Sequence, residues 1–552
     1  MVMNWSLAFI AAGSVGLGAT TAGRRRLLLS QAKHRSLAGH SKWSRRIAGW
    51  IPMVDYDAAK FFRCDGAPDD VIAKREQGFE RLAHLFAERF PKGRALTAET
   101  RPGLSDLQFT GSYRVPFQFA RHVKENLGVG AFVEKSAGVT VTDVDGNDFY
   151  DLTGSYGVNL LGYDAYKSMI AEAVAQVADL GPVLGQLHPV VADNVARLRA
   201  LTGLDEVSFH MSGTEAVMQA VRLARYHTRR SRVVRFCGAY HGWWGDVQPG
   251  IGNPVNADRT FTLAEMSEKA LQTLATRNDI ACVLINPLQS LHPNSAAPSD
   301  NTLVDGGRKA GVDREAYAEW LHRVAEVCRE RGIVFILDDI FTGFRLARRG
   351  AAEYFGLQPD MVTFGKTLGG GLPNGVLVGR ADLMKRYRED RPVDICFARG
   401  TFNAHPYVMA TMNAFLRKLD EPDTHALYDG LDDRWNARAA RMNASLEAAD
   451  VPVRVANLSS IWTVTYQVPS RFNWMLQYYL REEGLLLSWV GTGRLIFSLN
   501  YSDADFDEVV TRFTRACERM AANGWWWHAP DATNKGIRRG ILRELIARRF
   551  GR

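Results

Sequence analysis

The stretch VTFGKTLGGGLPNG, residues 362–375, ends an apolar run on Lys366 and follows that lysine with three consecutive glycines. A solvated surface ammonium is the plainest reading of a lysine. The neighbours argue for another. Met361 to Phe364 is a compact apolar run bounded by glycine, the mark of a short strand in a sheet covered on both faces. Lys366 then stands at the strand's carboxyl end, where open α/β sheets bind their ligands. Gly369, Gly370 and Gly371 permit close approach of backbone or ligand. A lysine desolvated in such a crevice loses affinity for its proton and becomes an amine nucleophile, able to form a Schiff base with a carbonyl.

Three further groups extend that chemistry. In FHMSGTEAVMQAVRLARYHTRR, Ser212, Gly213 and Thr214 precede Ala216, Val217, Ala220, Val221 and Ala224 at helical spacing. The triplet therefore opens a helix, where unpaired amides and the dipole suit a phosphate, although Ser and Thr are also ordinary N-caps. Asp338 ends an apolar strand in ILDDIFTGFR, and an acid there needs a cation, such as a protonated heterocyclic nitrogen. Asp339 is the alternative, since strand alternation turns only one of the two toward the crevice. Tyr240-His241-Gly242 follows the strand VVRF, so Tyr240 is either a flat face for a planar ring or a core tyrosine. An amine, a phosphate cradle, a carboxylate and an aromatic plate are together what pyridoxal 5′-phosphate requires.

The elements that must position these groups follow from periodicity. From about 166 to 415, helical segments alternate with short apolar runs: VVRF (233–236), ACVLINP (281–287), GIVFILDDI (332–340), MVTF (361–364) and GVLVGR (375–380). That pattern predicts a mostly parallel sheet wrapped by helices. GVTVTDVDGNDFYDLTG (138–154) alternates around Asp145-Gly146 and predicts a hairpin. Helices are expected over 69–90 and about 505–522. The implied organisation is a basic segment 1–54, the first part of a small domain over 55–165, a large domain over 166–415, the rest of the small domain over 416–523, and a basic tail 524–552.

In that order and spacing, SGTEA, YHG, LDDIFTGFR, FGKTLGGGLPNG and ARGTFNAHP resemble the class III, fold type I aminotransferases, particularly the glutamate-1-semialdehyde aminomutase-like branch. The resemblance covers roughly 110–520. It implies an α/β fold with a large domain and a smaller α+β domain formed by both chain ends. It implies that Lys366 holds pyridoxal phosphate covalently, that Asp338 pairs with the ring nitrogen, and that Gly213 and Thr214, beside Ser212, bind the phosphate. Tyr240, next to His241, would stack on the ring and Ile340 would pack its other face. Thr401 would reach the phosphate of a neighbouring subunit's cofactor, which implies a homodimer with shared sites.

For the substrate, GSYGVNLLGY (154–163) resembles the aminomutase branch and places Ser155 and Tyr156 at the pocket wall. INPLQS (285–290), GTFNAHP with His405, and the stretches SSIWTVTY and LLLSWVGTGRLIFSLNYSDADFDE look closer to aminotransferase domains of lipopeptide and polyketide synthases, which aminate β-keto acyl chains. Asn286 departs from the glutamate usual before that proline.

Charge locates a second theme. The chain carries a net +8, yet residues 1–54 hold eight Lys/Arg and no acid, and 535–552 hold seven Lys/Arg against Glu544, so the interior is net acidic. No basic nucleic-acid face is expected across the core. Six cysteines without CxxC or metal-ligand spacing suggest neither disulfide framework nor metal site and suit a reducing compartment. Residues 4–23 are uncharged and followed by Arg24, Arg25 and Arg26, a pattern for a membrane anchor with the rest of the chain cytoplasmic; a transit peptide or an unstructured arm are the alternatives. In the tail, Ile537, Ile541, Leu545 and Leu542, Ile546, Phe550 recur four apart after Trp525, Trp526 and Trp527, as in a helix lying in a membrane interface or one docked on the protein's own body. The expectation is a membrane-associated transaminase taking an amino donor and a hydrophobic aldehyde, ketone or keto-acyl acceptor; the alternatives are an aminomutase on a small soluble substrate and a small-molecule ω- or β-transaminase in cytoplasm or organelle matrix.

Overall fold

The computed structural model describes residues 21–34, 40–113, 115–248, 250–253, 255, 258–292, 294, 306, 309–487 and 493–551. Its centre is a sheet of seven strands: β1 (Glu206–His210), β2 (Arg232–Phe236), β3 (Thr260–Leu263), β4 (Ile280–Ile285), β5 (Val334–Asp338), β6 (Met361–Gly365) and β7 (Gly375–Gly379). Their order is β1-β7-β6-β5-β4-β2-β3, with β7 antiparallel to both neighbours and the remaining pairs parallel. Every residue of β4 to β7 is buried, as expected of apolar runs sandwiched between helices. Helix Gly213–Thr228 packs Val217, Val221 and Ala224 against one face, with Val233, Leu284, Ile336 and Leu377. Helix Arg314–Arg331 brings Tyr317, Leu321 and Val324 into the core that includes Phe335.

All five expected strands are present. β1 and β3 lie outside the expected strands, because EVSFH and TFTL carry too many polar residues to stand out as apolar runs. The expected hairpin pairs Thr140–Asp143 with Asp148–Asp151 through Gly146 at φ 84°, a backbone state suited to glycine. The last of these strands also pairs in parallel with Leu485–Leu486, so segments before and after the large sheet share one small sheet. The helices Asp69–Arg89 and Asp503–Ala522 stand where predicted, the second opened by a Ser502/Asp505 capping box.

The chain ends require a correction. Trp525 and Trp526 belong to the core rather than to an interface belt: the Trp525 indole donates to the Tyr479 hydroxyl at 2.7 Å, and that of Trp526 to Asn473 Oδ1 at 3.0 Å. The six tail positions do not form the single apolar stripe their spacing suggests: Ile537, Ile541 and Leu545 pack on the protein's own body, whereas Leu542, Ile546 and Phe550 stay exposed. Residues 4–20 of the expected anchor lie outside the described residues; among those described, no helix is long and apolar enough to cross a membrane. Residues 21–32 are helical and lead into Lys33, which bridges to Leu263 while Ala264 N donates to Ala32 O at 2.9 Å, covering the edge of β3.

Candidate active site

Because β7 is antiparallel to both β1 and β6, β1 runs parallel to β6, and the carboxyl ends of β1, β2, β4, β5 and β6 meet along one edge. Lys366, Asp338, Ser212 and Tyr240 stand at or just beyond these strand ends. Lys366 follows β6 directly, with φ 46°. A left-handed lysine is strained and persists only where its surroundings over-determine it. Here the Thr367 hydroxyl donates to the carbonyls of Gly157 and Val158 at 3.0 Å each, and Asn374 Nδ2 donates to Lys366 O at 3.2 Å. The glycines after Lys366 meet protein rather than open space: a Cβ on Gly370 would lie 2.5 Å from Thr411 O.

Burial pushes the Lys366 amine down to about 8, against the pull of Asp338 and helped by the cations Arg345 and Arg494. Its Nζ lies 4.4 Å from the centroid of the Phe341 ring.

Asp338 is buried at the end of β5. Its Oδ2 accepts from His241 Nδ1 at 2.6 Å, whereas Oδ1 has only longer contacts, from Ile340 N at 3.3 Å and the Thr363 hydroxyl at 3.4 Å. Burial lowers the proton affinity of His241 more than Asp338 restores it, so a neutral imidazole donates from Nδ1 and leaves Nε2 buried without a partner among the described residues. Asp339 answers the open alternative. Its carboxylate accepts from the Thr342 hydroxyl at 2.6 Å and from Ala351 N at 2.7 Å, which commits it to the loop beyond, and burial raises its acid to about 7.

Ser212 caps helix Gly213–Thr228, its hydroxyl accepting from Glu215 N at 3.2 Å. The amides of Gly213 and Thr214 donate to no acceptor among the described residues. Ile340 packs closely over Gly213, where an added Cβ would lie 2.6 Å from its Cδ1. Tyr240 remains 60% exposed, and its hydroxyl is pushed up by partial burial and then by the Asp338 charge. Asn286, at the end of β4, donates to Tyr240 O at 3.2 Å, so the departure noted in sequence serves to hold the aromatic loop.

The segment Gly154–Gly157 is a left-handed turn in which Ser155 and Tyr156 have φ 45° and 57°. Ser155 Oγ lies 2.9 Å from the Tyr163 hydroxyl, which donates to Asp151 Oδ2 at 2.6 Å. Gly157 abuts Phe341, with room for no Cβ. Thr401 lies in an exposed turn, and no hydrogen bond among the described residues ties it to this cluster.

Sequence reasoning missed Phe341, Arg345 and Arg494. Arg345 is fully buried and donates to the carbonyls of Gly157, Asn159 and Phe497, pinning the left-handed turn to the C-terminal lobe. Arg494 Nη2 lies 3.3 Å from His292 Nε2. The first two stood in the quoted LDDIFTGFR, but nothing local marks their distant partners. A groove of about 1630 Å³ opens at the amino ends of β5 and β6, the opposite end of the same strands; it is lined by paired charges such as Arg380 with Asp360, and volume alone does not mark the site.

The Aminotransferase class-III family model matches residues 121–517. The chain belongs to the class III aminotransferases. This aminotransferase is 35% identical to the glutamate-1-semialdehyde 2,1-aminomutase of Nitratidesulfovibrio vulgaris (strain Miyazaki F) over 352 residues, 62% of this chain and 79% of that one. The aminomutase of Myxococcus xanthus (strain DK1622) is 33% identical over 378 residues, 64% and 80% of the two chains. A solved transaminase with PLP bound matches with TM-score 0.61 at 25% identity, covering 72% of this chain and 92% of that one. The glutamate-1-semialdehyde aminomutase of Pseudomonas aeruginosa PAO1 shares the fold, with TM-score 0.66 at 20% identity, over 81% and 99%. The fold is therefore type I and the cofactor pyridoxal phosphate. The residues present fit that group: a near-neutral lysine amine, a carboxylate oxygen with spare accepting capacity, and two unengaged amides at a helix start lie on one sheet edge.

Proposed function

We propose that this aminotransferase moves an amino group from a donor to a hydrophobic aldehyde, ketone or keto-acyl chain met at a membrane surface on its cytoplasmic side, working as a homodimer. When bound, the cofactor supplies an aldehyde that takes up and returns the amino group and a ring that withdraws the electrons left as a Cα proton departs. Lys366 Nζ holds the cofactor and then carries the proton between carbons, for which an amine titrating near neutrality suits better than an ordinary lysine. Asp338, oriented by the His241 Nδ1 proton, keeps the ring nitrogen protonated. Ser212, Gly213 and Thr214 hold the phosphate, and Tyr240 and Ile340 hold the two faces of the ring. Thr401, exposed on its turn, serves the second subunit's phosphate.

The observation that carries the substrate class is Phe341. Its ring stands against the Lys366 amine and against the Gly157 backbone, beside the residues Ser155 and Tyr156 expected at the pocket wall. An aromatic face at the point where the reacting carbon must come favours an apolar chain over a small charged semialdehyde. A second reading, amino transfer within a small acid as in the aminomutases it resembles, is favoured by Arg494, whose cation is near enough to depress Lys366 and suits a carboxylate. Specificity constants across saturated aldehydes and keto acids of increasing length separate the two. A rise with each added methylene supports the apolar reading; a preference for the shortest dicarboxylate-derived acceptor, with no gain from length, refutes it.

A further inference from the structure

The tail helix Asn534–Arg549 has its rotation fixed by the inward stripe of Ile537, Ile541 and Leu545 and by Glu544. Ile541 is 6% exposed in the core, and Glu544, the only acid of the segment, turns to the body, where Arg471 Nη1 donates to its Oε1 at 2.9 Å and the Tyr56 hydroxyl donates to its Oε2. That leaves the opposite face without negative charge. Leu542, Ile546 and Phe550 run along it at four-residue spacing and are 56%, 49% and 70% exposed. Lys535, Arg539, Arg543 and Arg549 are exposed on the same side. At about 100° per residue, these four cations fall within about 60° of the midline of the apolar stripe.

We infer that this face docks on anionic lipid headgroups, with Leu542, Ile546 and Phe550 entering the boundary of the acyl chains and the flanking cations meeting phosphates. The inference deepens the membrane reading proposed above and rests on it. Charge complementarity selects the occupant. A helix face that presents large apolar side chains and cations together suits an anionic bilayer interface, where both features are satisfied at once. A nucleic acid would engage the cations and leave three large apolar side chains uncovered. A second copy joined through this face about a twofold axis would set like charges against each other. The docking is useful to the catalytic body because the helix is bolted to it through Arg471 and Tyr56 rather than tethered by a flexible arm.

The test uses the cofactor-loaded full chain, its triple variant Leu542→Ser/Ile546→Ser/Phe550→Ser, and the double variant Arg539→Glu/Arg543→Glu, all of whose changed side chains are solvent-exposed. Co-sedimentation is measured with vesicles of phosphatidylcholine alone and of phosphatidylcholine mixed with phosphatidylserine, at low and physiological ionic strength. The parent chain is expected on the mixed vesicles. The triple variant should partition about a hundredfold more weakly, since three large side chains lose their burial. The double variant should lose the preference for phosphatidylserine. Retained cofactor absorbance shows that the body is folded. If the parent binds and both variants bind equally well, the tail assignment is overturned while the membrane reading survives through another segment. If the parent binds neither vesicle, both fall. Equal binding to both vesicle types, or a change of subunit number in the triple variant, also overturns it.

Discussion

The acidity of Lys366 gives the sharpest quantitative expectation. With its amine titrating at about 8 instead of 10.5, the neutral fraction at pH 7 rises roughly 300-fold, from about 0.03% to about 9%. The cofactor-free protein should therefore capture pyridoxal phosphate at a rate that climbs through a midpoint near pH 8 and levels off above it, followed by the absorbance of the lysine-bound chromophore. Asp338→Asn removes the charge that favours the ammonium, so the midpoint should move further down even as turnover falls. Arg494→Gln should move it up. The same shift has a sign for stability. The native lysine releases its proton at about 8 while the unfolded one keeps it to 10.5, so the unfolded state binds more protons across that window and stability rises with pH there. Below pH 8 the charged, buried amine costs up to about 3 kcal/mol, which Lys366→Met should recover in thermal melts of cofactor-free protein. A capture midpoint near 10, or one that rises in Asp338→Asn, would refute the reasoning.

Other expectations are coarser. Asp338→Asn should keep cofactor bound but lose most turnover, whereas Asp339→Asn should keep turnover and lose about 1–3 kcal/mol of stability, because its oxygens serve Thr342 and Ala351; equal kinetic damage in both would undo the assignment of roles. Phe341→Leu should lower kcat/KM for apolar acceptors roughly tenfold while sparing small ones, read from the same chain-length series. Gel filtration and light scattering of the loaded enzyme should report a dimer, and Thr401→Ala should weaken cofactor retention without unfolding the chain.

What could be read from the sequence was whatever sits next to its own cause. Lys366, Asp338 and the Ser212 triplet stand at the ends of apolar runs or the start of a patterned helix, and parallel β-topology places such ends together. The chemistry of Asp338 and Asp339 could not be divided, because the partners that do so, His241 and Ala351, lie 97 and 12 residues away. Arg345 reads as one more arginine until Gly157, Asn159 and Phe497 turn their carbonyls on it. Trp525 and Trp526 misled for a related reason: a tryptophan run before a basic helix has the same composition whether it faces lipid or packs on Phe472 and Tyr479. Likewise, only the fold reveals that Glu544 belongs to the body, leaving an outer face on the tail that carries apolar side chains and cations but no negative charge.

The central claim, that Lys366 drives amino transfer to an apolar carbonyl, is tested most directly by two successive half-reactions followed spectrophotometrically on the loaded enzyme. An amino donor should convert the cofactor to its amine form, and a long-chain aldehyde or keto-acyl compound should return the starting spectrum faster than glutamate-1-semialdehyde does, with neither change in Lys366→Ala. Return only by the semialdehyde would contradict the substrate class, and full turnover by Lys366→Ala would contradict the site itself.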